Sequence, residues 1–464
     1  MSLNPAIGDR TAWPALPYAW FVVGVLLLAY ASAFIDRQIL ALLVDPIRQE
    51  LLISDTEFSL LAGLAFALFY STMGVPLAWL ADRYSRRLLI MAGIFVWSIM
   101  TALCGLAVGF WTLFAARVGV GIGEAVLSPA AYSLIADYFP PERRGRAMAV
   151  YSMGAYIGAG LALVIGGAAI GLITNANPVV LPYFGELTPW RTTFLYVGLP
   201  GILIALLFLA VREPVRRGQI PAQAPTLTGK AAGSHPQNSM GWFFRTRGGT
   251  FLLVALSFSL FGMTPISFLV WIPAFLSRSY GMDPASIGMT YGFILLVFST
   301  IGVALGGWMA DRMAMQGKSD SVMRTTLIGT VLATPFAILT PLMPNLTLTL
   351  VMLAIASFLF GIPNGMPAAA LSLIAPNAVR ARVIAIYFLL GSLLTMGLGP
   401  LLVALVTDFL LRDSARVGHS LAIVGAVMMP LAILTITAAL FAFRRVLQAE
   451  RENQSGMDLS AAPG

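Results

Sequence analysis

Charged residues are scarce in this sequence, and so are histidine and cysteine. Of 464 residues only 10% are Asp, Glu, Lys or Arg, 2 are His and 1 is Cys. A water-soluble chain carries about 25% charged residues, so this composition excludes a soluble enzyme. The lone Cys104 excludes an internal disulfide and, with so little histidine, argues against a Cys/His metal centre. The sequence also lacks the Gly-x-x-x-x-Gly-Lys-Ser/Thr pattern of ATP-binding loops, and we predict no cofactor and no enzymatic activity.

Long apolar runs account for the composition, which is 58% hydrophobic with a mean hydropathy of +0.86. A membrane-spanning helix needs about 20 apolar residues, so the length suits about twelve spans. We predict an all-α membrane protein with two six-helix bundles, 1–211 and 250–444, joined by a polar linker, 212–249, and followed by a tail, 445–464. The predicted spans are 18–43, 57–81, 88–109, 111–135, 146–172, 191–211, 250–277, 285–310, 324–343, 346–374, 380–407 and 418–443.

The net charge of +8 could suggest nucleic-acid binding, but the positions of the basic residues argue against it. With both termini on one side of the membrane, that side collects about twenty-one Lys and Arg and the other about five. Cytoplasmic loops carry this excess, so we predict cytoplasmic termini and no nucleic-acid partner. An arginine-rich, lysine-poor chain with much alanine and glycine suggests a bacterial inner membrane.

Two short sequences recur at corresponding places in the two predicted bundles. Leu80–Arg83 after the second span is repeated as Met309–Arg312 after the eighth, and Ser133–Ala136 in the fourth span as Ser372–Ala375 in the tenth. Such paired recurrence predicts two pseudo-symmetric halves, as in transporters built by duplication.

Six plus six spans with Asp-Arg in the 2–3 and 8–9 loops resembles the major facilitator superfamily. Its loop pattern is Gly-x-Leu-Ala-Asp-Arg-x-Gly-Arg-Lys, and residues 78–87 keep the Asp and the basic cluster but replace both glycines. Arg117–Ala125 in span four resembles its Arg-x-x-x-Gly-x-x-x-Ala motif. The resemblance covers nearly the whole chain and implies the major facilitator fold.

Three features further resemble the spinster subfamily of lysolipid and sphingolipid transporters. They are Asp36-Arg37 in span one, Gly121–Ala125 in span four and Trp190-Arg191 at the start of span six. Related organic-anion carriers also have acidic groups in spans one and four, so a carrier of small organic anions remains an alternative.

Four charged residues lie inside the predicted spans, and all belong to the first half: Asp36, Arg37, Arg117 and Glu124. A charge at a helix centre costs about 2.5–3.5 kcal/mol on insertion scales, which favours a functional role. We expect Asp36 and Glu124 to carry the proton, with Arg37 and Arg117 as exchanging partners, and Arg37, Arg117 and Glu124 to bind substrate. The alternative is a permanent brace between spans one and four.

The second half has no such charges and offers aromatic side chains instead. A cavity polar on one wall and apolar on the other suits an amphiphile. The resemblance to spinster proteins carries more of the substrate assignment than these walls do, and it implies a lysophospholipid or sphingoid lipid. We predict a monomeric, proton-coupled transporter of such a lipid that works by alternating access and is surrounded by membrane lipids. In the rival function, the two arginines clamp a small organic anion. The aromatic residues in question are Phe258, Phe261, Phe268, Trp271, Phe358, Phe360 and Phe388.

The repeated loop sequences predict a gate on the cytoplasmic side, a role implied by the superfamily resemblance. The arginines alone could serve only to set topology, but acidic residues contribute little to topology. The predicted gate residues are Asp82, Arg83, Arg86, Asp311 and Arg312.

Overall fold

The computed structural model describes residues 13–182, 185–216, 239–376 and 379–461. Most of the predicted linker, 217–238, lies outside these ranges. In the described residues, twelve helices are long and apolar enough to cross a membrane, as the sequence predicted. They are Leu16–Leu42, Asp55–Ala81, Arg86–Cys104, Phe110–Tyr138, Ile157–Thr174, Pro189–Ala210, Met240–Tyr280, Pro284–Met315, Ser321–Leu342, Leu346–Ile374, Arg382–Leu411 and Ser414–Ala449. We number them as spans one to twelve.

Helices form here because the bilayer offers no water to the backbone, whose polar groups must then bond within their own segment. Some helices extend well beyond the predicted spans: span five belongs to Pro141–Thr174, span seven begins at Met240, and the last helix is Val417–Ala461. Phe243, which lies in the predicted linker, is buried in the first turns of span seven. Outside the spans lie a short helix, Val44–Leu51, and a hairpin of two strands, Val180–Leu181 and Gly185–Glu186.

Spans four and ten are interrupted at equivalent points. Span four consists of Phe110–Glu124 and Leu127–Tyr138, and span ten of Leu346–Asn364 and Met366–Ile374. Both breaks lie seven or eight residues before the shared Ser-Leu-Ile-Ala sequence. The backbone therefore repeats between the halves, and Glu124 lies at the break where the second half has Asn364.

The two halves are joined mainly at one end. We call the side where span one begins and span twelve ends the terminal side, and the opposite side the far side. One apolar cluster extends from the second half into far-side residues of the first, such as Ile47 and Phe58. The terminal-side core of the first half, with Val22, Leu134 and Phe139, forms a separate cluster. The halves are thus packed together on the far side.

The contact between the halves coincides with irregular helical turns. Spans two and eight contain single π-helical turns, Leu60–Leu64 and Leu295–Ser299. A Cβ built on Gly63 would lie 2.3 Å from the carbonyl oxygen of Met396, and one on Gly160 would lie 2.7 Å from the backbone nitrogen of Leu296. Glycine therefore lets the backbones of opposite halves touch, at turns of a kind that often marks functional regions.

Candidate functional site

An ion pair between spans one and four lies at the break in span four. Nε of Arg37 donates to Oε2 of Glu124 at 2.7 Å, and Nη2 donates to the same oxygen. The Glu124 side chain is fully buried, whereas that of Arg37 remains 12% exposed. The second carboxylate oxygen of Glu124, Oε1, is buried and has no hydrogen-bond partner among the described residues. One oxygen of Glu124 thus binds the arginine, and the other has no hydrogen-bond partner among the described residues.

Aromatic rings surround the guanidinium of Arg37. Its Cζ lies 4.5 Å from the ring centre of Phe66, 5.1 Å from Tyr70 and 5.2 Å from Phe34. The rings of Phe66 and Tyr70 stack on each other at 5.2 Å. Each cation–π contact contributes about 0.5–2 kcal/mol, depending on desolvation. The cation of Arg37 therefore has a second source of stabilisation besides Glu124.

Asp36 and Arg117 complete the cluster and are almost fully buried, at 2% and 1% exposure. Nη1 of Arg117 donates to the backbone carbonyl of Asp36 at 3.4 Å, while its Nε has no partner among the described residues. The Asp36 carboxyl interacts electrostatically with both Glu124 and Arg117. The structure thus brings together the four charges predicted from the sequence, with Arg37 as the one facing open space.

A small cavity of about 50 Å³ lies between the halves beside Arg37. The first half contributes Arg37, Gln38 and Phe66 among others. The wall from the second half is entirely apolar and consists of Ile266, Leu269, Val270 and Met396.

The aromatic residues of the second half do not line this wall. Phe258, Phe261, Phe268, Trp271 and Phe360 are buried in the core of that half. Phe358 packs partly buried against the same core, and Phe388 is 55% exposed. The wall is apolar as predicted, but aliphatic side chains and a methionine form it. The sequence does not show which face of these helices points inward, because they are apolar on every side.

Three of the predicted gate residues, Arg83, Arg86 and Arg312, contact residues of their own half. Arg86 is buried and binds Asp137 and, through Nε at 2.8 Å, Glu213. Arg83 lies over Trp79, and Arg312 over Trp308. Asp311 is exposed, and the side chain of Asp82 lies outside those described. The role of these residues in a gate that closes the terminal side therefore stays a prediction.

The Trp190-Arg191 pair anchors the start of span six. Nε1 of Trp190 and Nε of Arg191 both donate to the Glu50 carboxylate, at 2.5 and 2.6 Å. Although partial burial raises the pKa of Glu50, hydrogen bonds from Arg191, Thr188 and Trp190 outweigh it and hold this pKa below its usual range. The pair therefore fixes span six to the short helix after span one and does not contact the charged cluster.

Twelve spans in two repeated halves, with buried charges and a cavity between the halves, define a secondary transporter. The family model of the Major Facilitator Superfamily matches residues 26–400. The chain belongs to this superfamily, so it is a multi-pass integral membrane transporter and not an enzyme.

Known relatives differ in what their names say they carry. An MFS-type efflux pump of Mycolicibacterium smegmatis is 29% identical over 92% of this chain and 94% of its own. A probable L-galactonate transporter of Escherichia coli is 27% identical over 68% of each chain. A crystal structure described as an inward-facing, unoccupied bacterial homologue of the human lysosomal transporter spinster has a TM-score of 0.73 at 27% identity, covering 94% of this chain and 98% of its own. The spinster-like character predicted from the sequence is confirmed.

Proposed function

We propose that the protein is a proton-coupled transporter that moves an amphiphilic anion by alternating access. The observation that carries this proposal is the Arg37–Glu124 pair beside a cavity between the halves, with Oε1 of Glu124 unpaired. A proton bound at Glu124 would neutralise the carboxylate and weaken its hold on the arginine. Arg37 would then be free to bind an anionic group of the substrate, with its charge still stabilised by Phe66 and Tyr70.

The amphiphilic character of the substrate follows from the two walls of the cavity. A guanidinium on one side can bind a phosphate or carboxylate with two parallel hydrogen bonds. Opposite it, Ile266, Leu269 and Val270 offer no hydrogen-bonding side chain. A lysophospholipid or related lipid combines the polarities of the two walls, and the cavity of about 50 Å³ must widen to admit it. The similarity to the spinster homologue supports this class.

A small sugar acid is the second candidate, because a relative carries the name of a galactonate transporter. A competition binding experiment distinguishes a lipid substrate from a sugar acid. A fluorescent anionic lysophospholipid bound to the purified protein should be displaced by unlabelled lysophospholipid and not by galactonate. Displacement by galactonate alone would overturn the lipid proposal and establish the organic-anion function.

The arginine distribution supports cytoplasmic termini and a bacterial inner membrane for this proposal. The terminal side would then be the cytoplasmic side, and the structure would be closed on the outside. We further propose that residues 1–211 and 250–444 move as two bodies around the cavity, with 212–249 as the linker.

Glu124→Gln is expected to abolish uphill transport driven by a pH gradient. Glutamine keeps the size of the side chain and an oxygen for Arg37 but cannot release a proton. Exchange of labelled for unlabelled lysophospholipid needs no net proton movement, so it should persist in the variant. Uptake into proteoliposomes, with and without an imposed pH gradient, measures both.

The control for this experiment is Glu186→Gln, which changes an exposed carboxylate in the far-side hairpin. It should leave pH-driven uptake unchanged. If Glu124→Gln still drove uphill, pH-dependent transport at the wild-type rate, the ion pair would be a permanent brace and the proton role would be wrong.

A further inference from the structure

A hydroxyl group of span three faces the buried charged cluster from a third helix. Span three is the helix Arg86–Cys104, and Thr101 lies in its last turn, completely buried. The Asp36 carboxyl interacts with this hydroxyl as well as with Glu124 and Arg117 of span four. Because threonine carries no charge, the pattern that singles out the other members of the cluster in the sequence does not indicate Thr101.

Three polar atoms around Asp36 have no hydrogen bond to any described residue. They are Oγ1 of Thr101, Nε of Arg117 and Oε1 of Glu124, and each is buried. The guanidinium nitrogen can only donate, the carboxylate oxygen accepts, and the hydroxyl can do either. A buried polar atom without a partner is costly in free energy, most of all on a charged group. Three such atoms around one carboxyl therefore point to a partner that they share.

Water is the partner that suits these atoms. A buried water typically makes about three hydrogen bonds to polar groups that lack other partners. The Thr101 hydroxyl interacts with the Asp36 carboxyl but does not reach hydrogen-bond geometry with any described residue, and water commonly bridges a polar contact of this kind. A metal ion does not suit the site, because Arg117 brings a positive charge to it.

We propose that Thr101 and Arg117 hold a buried water that joins the Asp36 carboxyl to Oε1 of Glu124, so that a proton can move between the two carboxyls. The inference rests on the proton coupling proposed above. With both carboxyls ionised, the water accepts from Nε of Arg117 and from the Thr101 hydroxyl and donates one hydrogen to each carboxylate. These four hydrogen bonds use both lone pairs and both hydrogens of the water.

The transfer of a proton requires a group that can reverse its hydrogen bond. When Glu124 is protonated, its O–H donates to the water, and the Thr101 hydroxyl turns from donor to acceptor to make room. The O–H bond of Glu124 then breaks as a new O–H bond forms on the water, while the water gives one of its own protons to Asp36. The water is unchanged by the step, and one positive charge has moved from Glu124 to Asp36. A hydroxyl can reverse in this way, whereas a guanidinium or a methyl group cannot.

The charges that face Asp36 allow the proton to reside on either carboxyl. Glu124 and Arg117 face it from span four, Arg37 from its own span and Cys104 from span three. The two arginines balance the two carboxylates, and a thiol is neutral at ordinary pH. Transfer through the water therefore leaves the net charge of the cluster unchanged.

Thr101→Val removes the hydroxyl and keeps the size and the branched shape of the side chain. It should lower the initial rate of pH-driven lysophospholipid uptake into proteoliposomes about tenfold, the loss expected for one hydrogen bond to a charged group. Exchange of labelled for unlabelled lysophospholipid needs no net proton movement and should keep its wild-type rate. Thr101→Ser should restore uptake, because serine retains the hydroxyl.

Ser98→Ala is the matched control for this experiment. Ser98 lies one turn away on span three, and its hydroxyl is also buried without a partner among the described residues. Its Oγ lies beside span six, 2.1 Å from a Cβ built on Gly201. The control should change neither uptake nor exchange. A Thr101→Val chain with an unchanged melting transition and wild-type uptake would overturn the proposal, and so would an equal loss of uptake and exchange.

Infrared spectroscopy tests the water without any transport. Difference spectra of the purified protein between acidic and neutral pH contain the C=O stretch of a buried protonated carboxyl, and heavy-oxygen water identifies the bands of bound water. Thr101→Val should shift both bands, and Ser98→Ala should leave them in place. Identical spectra for the wild type and Thr101→Val would overturn the water site. Absence of pH-driven uptake in the wild type would instead overturn the proposed function, so the two failures are distinguishable.

Discussion

Arg37→Ala is expected to abolish transport of the lysophospholipid, with a loss of about 100-fold or more, equivalent to about 2.7 kcal/mol of lost stabilisation. Among the described residues that line the small cavity, the substitution removes the one charged group. It also leaves Glu124 buried without the arginine that holds its Oε2. Uptake into proteoliposomes measures the loss. Arg37→Lys should retain part of the activity, because it keeps the charge near Phe66 and Tyr70 but loses the fork.

A second variant separates substrate binding from folding in this prediction. An unpaired buried carboxylate destabilises by about 3–5 kcal/mol, so Arg37→Ala could lower activity through the fold alone. Arg37→Ala combined with Glu124→Gln removes that charge and should restore the melting temperature without restoring exchange. Recovery of exchange in the double variant would show that Arg37 acts only as a brace. Arg245→Ala, at an exposed position in the first turns of span seven, should change neither property.

The buried cluster was predictable from sequence because a charge within an apolar run is conspicuous. Asp36, Arg37, Arg117 and Glu124 all interrupt predicted spans, and all four meet in the structure. Their pairing was not predictable, because helix rotation within the bundle decides it. Arg117 donates a hydrogen bond to the backbone carbonyl of Asp36, whereas Arg37 binds the Glu124 carboxylate.

The aromatic residues around Arg37 were harder to predict from the sequence than the charged cluster. Phe66 and Tyr70 are four residues apart on span two, and Phe34 precedes Arg37 by three, spacings that place such pairs on one helix face. Many other aromatic pairs in these apolar helices have the same spacing. Only the packing of span two against span one shows which pair surrounds the guanidinium.

The fold was the most predictable property, and the contact between the halves the least. Twelve spans and their duplication follow from apolar length and repeated sequences. The far-side contact depends on Arg278, Asp55 and Asp408, which come together from distant parts of the chain and sit at span ends where charges are ordinary. The sequence shows that these charged residues are present, but it does not show that they contact residues of the opposite half.

A substitution at Gly302 is expected to lower the stability strongly through helix packing alone. Spans eight and ten touch through their backbones here: a Cβ on Gly302 would lie 1.9 Å from the carbonyl oxygen of Phe358 and 3.1 Å from Cα of Gly361. No rotamer change can relieve a contact with backbone, so Gly302→Val must separate the helices. Overpacking costs about 1–3 kcal/mol and occasionally more, and we expect the upper end. The melting temperature of the purified protein should fall by about 5 °C or more.

Gly307→Val provides the comparison that isolates this packing effect. Gly307 lies on the same helix, five residues along, and a Cβ there would meet no atom within 4 Å. Both variants replace glycine with valine in a helix, so their intrinsic helix propensities change equally and cancel. The difference in melting temperature between them therefore reports the contact between spans eight and ten. Equal melting temperatures for the two variants would mean that these helices can move apart at little cost, and that glycine at position 302 is not required for close packing.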